Sequence, residues 1–72
     1  MLFNNFEFKY KNNLLYIYSY NKIIKLKPEQ IVLEYEFGNF CIKGNKLIIK
    51  ELYKEYMVIK GDITEISFIK GE

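Results

Sequence analysis

The chain has 72 residues, half of them apolar, with 11 Lys, no Arg, nine acidic residues and a formal net charge of +2. That length bounds a single domain over residues 1–72 with one small core, and the apolar content excludes a disordered chain. One Cys and no His exclude an intrachain disulfide and a zinc site of ordinary ligand spacing, so a partner subunit is the remaining source of extra stability and a homo-oligomer is expected.

In chain order, Leu2 to Tyr10 alternates loosely, with Phe6, Phe8 and Tyr10 on one face and Glu7 and Lys9 on the other, and reads as a first strand. Asn12-Asn13 punctuates it, because Asn tolerates positive φ. Leu14 to Tyr20 follows as a second strand, with Tyr16, Tyr18 and Tyr20 on a shared face. Asn21-Lys22 is a tight turn into Ile23 to Lys27, and Pro28 ends that strand by removing a ladder donor. Ile31 to Phe37 alternates most clearly: Ile31, Leu33, Tyr35 and Phe37 face one way, Glu34 and Glu36 the other.

Beyond it, the pairs Gly38-Asn39, Gly44-Asn45 and Gly61-Asp62 sit between β-branched and aromatic segments, as glycine does at the first central position of a type II′ hairpin turn. Each is therefore expected to reverse the chain, with Lys54-Glu55 as a further turn. Lys46 to Met57 is the one helix candidate, rejected because Leu47-Ile48-Ile49 is β-branched and two strands fill the space between the glycines. Broken alternation in Ile63 to Phe68 points to a bulge near Thr64-Glu65. The expected fold is all-β, a small antiparallel meander of seven or eight short strands forming a curled sheet, two layers or a barrel. Its core candidates are Ile31, Leu33, Tyr35, Phe37, Ile42, Leu47, Ile49, Val58, Ile66 and Phe68.

The order of features from Ile17 to Phe68 resembles the YabP/YqfC family of small sporulation proteins. The matching pattern runs through Ile23-Ile24, Ile31 and Leu33 leading to Gly38, and Ile42-Lys43-Gly44. It continues with Leu47, Ile49 and Leu52, then Ile59-Lys60-Gly61 with Ile63, and ends at Ile66-Ser67-Phe68. The residues around the first turn, Ser19, Tyr20 and Lys22, depart from the family's usual Asn and small residues. The resemblance implies a part in building the spore, on the cytoplasmic, mother-cell side of the forespore envelope or coat, beside membrane-embedded partners. It implies no enzyme activity.

The residues themselves carry little chemistry. With no His, a nucleophilic triad lacks its usual base, so no catalytic residue, cofactor or metal ligand is expected. Cys41 reads as a small buried apolar residue. Glu34 and Glu36 form a paired-carboxylate motif, for which a solvated strand face balanced by lysines is the favoured explanation. No apolar run reaches the ~18 residues of a transmembrane helix, and no signal peptide is expected.

The remaining candidate is a surface of Tyr16, Tyr18 and Tyr20 with Lys22, Lys25 and Lys27, the combination by which an OB-like barrel stacks bases and holds phosphates. Small net charge and the absence of Arg disfavour nucleic acid, and a structural or subunit contact takes precedence. The first function expected is thus a non-catalytic assembly or scaffold component; the alternative is a single-stranded nucleic-acid-binding domain. Lysines mixed with Glu along edges and outer faces favour the first, and lysines ringing the tyrosines favour the second.

Overall fold

The computed structural model describes residues 7–70, so the expected strand positions 2–6 lie outside the described residues. Six strands form one antiparallel sheet: β1 (Glu7–Lys11), β2 (Leu14–Tyr18), β3 (Lys22–Lys27), β4 (Gln30–Tyr35), β5 (Gly38–Leu52) and β6 (Tyr56–Lys70). Their order across the sheet is β1-β2-β6-β5-β4-β3, and among the described residues β1 does not meet β3, so the sheet they form is not closed into a barrel.

Two of the tight turns follow directly from residue chemistry. Asn12 and Asn13 hold φ of 55° and 63° between the paired residues Lys11 and Leu14, the double positive φ of a type I′ hairpin. Pro28-Glu29 joins β3 to β4, where Lys27 pairs with Gln30. The β5–β6 reversal falls at Lys54-Glu55, closed by the Tyr53 N–H donating to the Tyr56 carbonyl at 2.8 Å.

The three glycine pairs are not hairpin turns. Gly38 and Asn39 already belong to β5, paired with Tyr35 and Glu34, and the reversal lies two residues earlier at Glu36-Phe37. Phe37 is consequently 68% exposed in that turn, not in the core. Gly44-Asn45 lies within β5 and Gly61-Asp62 within β6; the chain runs through both pairs without reversing, which is why six strands, two of them 15 residues long, replace seven or eight short ones. The two glycines are needed because the backbones crowd each other there. A Cβ on Gly44 would run into the Asp62 carbonyl. One on Gly61, whose φ is +141°, would sit 2.7 Å from the Lys46 carbonyl oxygen.

Register slips around Gly44 and Lys46, the latter at φ 55°, bend the β5–β6 ribbon. One slip sets Lys43 opposite Glu65 and Gly44 opposite Ile63, leaving Thr64 as the extra residue of the expected bulge, its hydroxyl donating to the Lys43 carbonyl at 3.2 Å. The bend divides the sheet into two packed layers. In one, β1 and β2 extend the ribbon from residues 56–60 of β6; in the other, β4 and β3 extend it from residues 38–43 of β5.

Leu15, Ile17, Met57 and Ile59 of the first layer form one core with Ile31, Leu33, Tyr35, Phe40 and Ile42 of the second, and Leu47 joins them at the bend. The link between layers, Ser19 to Asn21, carries Ser19 at φ 64°, and the Asn21 N–H donates to the Glu34 carbonyl at 2.7 Å. Asn21-Lys22 is therefore a crossing from one layer to the other, not a hairpin turn.

Candidate interaction surface

The six residues expected to share one surface are divided among three places. Tyr16 and Tyr18 stand on the outer face of the first layer, because in β2 it is Leu15 and Ile17 that are fully buried. Tyr20 would have joined them had the strand continued, but positive φ at Ser19 breaks the alternation and Tyr20 packs against the core. Lys22, Lys25 and Lys27 lie on β3, at the edge of the other layer.

The side chains that do join Tyr16 and Tyr18 come from far along the chain. The β2–β6 register sets Tyr18 opposite Tyr56 and Tyr16 opposite Val58. The Tyr56 ring stacks on Tyr18 at 5.3 Å and on Tyr16 at 6.5 Å, and Tyr53 closes on Tyr56 at 4.8 Å. The Tyr53 hydroxyl donates to a Glu51 carboxylate oxygen at 3.1 Å, and that bond, with the carboxylate's charge, raises its pKa. Four rings thus occupy each other's faces. Nothing in the local sequence announces Tyr53 and Tyr56 as partners of β2; their signal lies in strand register alone.

The lysines are interspersed with acceptors. Lys22 meets Glu34 across the β3–β4 pair at 3.7 Å, and Lys25 donates to the Gln30 side chain at 3.2 Å. Gln30 in turn donates to the Cys41 sulfur at 3.1 Å, and Cys41 is buried as a small side chain between strands. Glu34 and Glu36 are separated, one on β4 and the other in the turn that follows it, so they do not form a carboxylate pair on one strand face. Among the described residues no three His, Cys, Asp or Glu gather as a metal site, and no helix is long and apolar enough to cross a membrane.

Tyr35 ties the layers together from inside. It is buried on β4, and its hydroxyl donates to the Tyr18 carbonyl at 2.8 Å. Burial, and then repulsion from an ionised Tyr20, push its pKa above the phenol's usual 10. With the folded-state value above the unfolded one, the hydroxyl's stabilising effect is complete below pH ~10 and is lost as pH rises through the raised value. Tyr35→Phe is expected to cost about 1 kcal/mol at neutral pH and to flatten the alkaline decline of Tm. Equal alkaline slopes in the two proteins would reject Tyr35 as the responsible group.

Fold and surface together define an open-edged, bent-sheet β domain with a stacked aromatic face. The YabP family profile matches residues 10–72, and the chain belongs to the YabP family, which is associated with sporulation. No curated protein and no solved structure matches it significantly.

Proposed function

We propose that this chain is a non-catalytic assembly or scaffold component of the developing spore envelope or coat, working through its sheet edges and outer faces. The observation that carries the proposal is the unclosed sheet. Because β5 and β6 bend, each layer has its own edges: β1 and residues 48–52 of β5 bound the first layer, β3 and the far part of β6 the second. Exposed edges are templates for strand addition, and a small domain gains stability from it.

Exposed Ile24, Leu26, Ile48 and Leu52 add apolar area along two of these edges. The partners proposed are further copies of the chain and a membrane-embedded sporulation protein on the mother-cell side of the forespore. The lysine distribution weighs against the nucleic-acid alternative, since Lys22 and Lys25 are bonded to Glu34 and Gln30 in the layer that does not bear the stacked tyrosines. Rings spaced 4.8 and 5.3 Å apart also leave no slot for a base between them.

Light scattering behind size exclusion, over a range of concentration and salt, tests the proposal. Mass that rises with concentration is expected. A strict monomer at every concentration would remove self-assembly from it, and a salt-dependent shift with single-stranded oligonucleotide would favour the alternative.

A further inference from the structure

The two edges of the second layer carry opposite charge. On one side β3 reads Lys-Ile-Ile-Lys-Leu-Lys, with Lys22, Lys25 and Lys27 and no acid. On the other, residues 62–67 of β6 contain Asp62 and Glu65 and no base. Pairing two β3 edges would set lysines against lysines, and the bulge between Ile23 and Lys25 further discourages it. Pairing β3 with β6 sets unlike charges together.

Direction agrees with charge. In the order β3-β4-β5-β6 every neighbour is antiparallel, so β3 and β6 run in opposite senses. A copy displaced sideways, without being turned over, therefore brings its β6 antiparallel to the β3 of its neighbour and continues the sheet's alternation. Among the described residues no strand pairs with β6 beyond Lys60 on that side, and an open groove of about 520 Å³, lined by Tyr10, Leu14, Lys60, Gly61, Asp62 and Ile63, runs beside it.

We propose, resting on the assembly function above, that copies of this chain join head to tail. Residues 62–67 of β6 in one copy add to the β3 edge of the next. With Thr64 kept as the extra residue of its bulge, one register sets Glu65 opposite Lys25, Ile63 opposite Leu26 and Asp62 opposite Lys27. Leu26 is 53% exposed in the single chain, and Asp62, Glu65 and Lys27 have no ion pair among the described residues, so all are available to the contact. Because the joined edges differ, the contact does not close into a two-fold dimer, and copies displaced sideways without rotation extend it as an open series of oligomers.

Complementary charge reversal tests this. Asp62→Lys/Glu65→Lys makes both edges basic, and Lys25→Glu/Lys27→Glu makes both acidic. Each variant alone, with circular dichroism and Tm like the parent's, is expected to sediment as a monomer where the parent forms a graded series. An equimolar mixture of the two is expected to restore the series. If folded variants each associate as the parent does, the edge contact is wrong while assembly through another surface stands. A discrete parental dimer also overturns the head-to-tail contact, and a parent that never associates overturns self-assembly itself.

Discussion

Gly61→Val is expected to leave the chain without a cooperative thermal transition, and Gly44→Val to do the same for a different reason. At Gly61 a β-branched side chain would have to adopt φ +141° with its Cβ 2.7 Å from the Lys46 carbonyl oxygen. Strained backbone of this kind costs about 1–3 kcal/mol before any clash is relieved. At Gly44 the obstacle is the Asp62 carbonyl, a backbone group that moves only if the paired ribbon separates. A domain of this size has a total stability of roughly 4–11 kcal/mol, so both substitutions consume much of it. Circular dichroism melts of the two variants check this, and an unchanged Tm in both would show that β5 and β6 do not approach so closely at the bend.

Phe40→Ala is expected to be the most damaging truncation in the core. The ring is 1% exposed, lies 5.3 Å from Phe8 on β1 and meets Tyr35 edge-on at 6.2 Å, so it is packed by both layers. Emptying such a site costs about 3–5 kcal/mol, and at roughly 4–8 °C per kcal/mol for a domain this small the Tm falls by tens of degrees. Phe37→Ala, three residues away in an exposed turn, is expected to change stability by no more than about 0.5 kcal/mol. Comparable losses in the two variants would contradict the register of β4 on β5.

That contrast shows where sequence pattern suffices and where it does not. Local chemistry identifies the Asn12-Asn13 turn, the alternation of β4 and the bulge at Thr64, because each depends on φ preference or period within a few residues. Glycine is ambiguous, however, since it serves a hairpin turn and a close crossing of two backbones equally well. Gly44 and Gly61 do the second, and each is made necessary by the partner strand of the ribbon. The same limit applies to the aromatic face: Tyr16 and Tyr18 were visible by period, but Tyr56 reaches them only through the long-range register of β2 on β6. Tyr20 left the set through one left-handed residue, Ser19, that no periodicity announces.

The bend in the β5–β6 ribbon has a consequence for how the molecule can come apart. Among the described residues each layer consists of a hairpin, β1–β2 or β3–β4, laid against a ribbon that passes through both layers. Neither layer owns its central strands. Peeling away β1–β2 uncovers Met57 and Ile59, and peeling away β3–β4 uncovers Phe40 and Ile42, in each case on strands the other hairpin still needs. No cut in the chain yields two self-sufficient halves among the described residues.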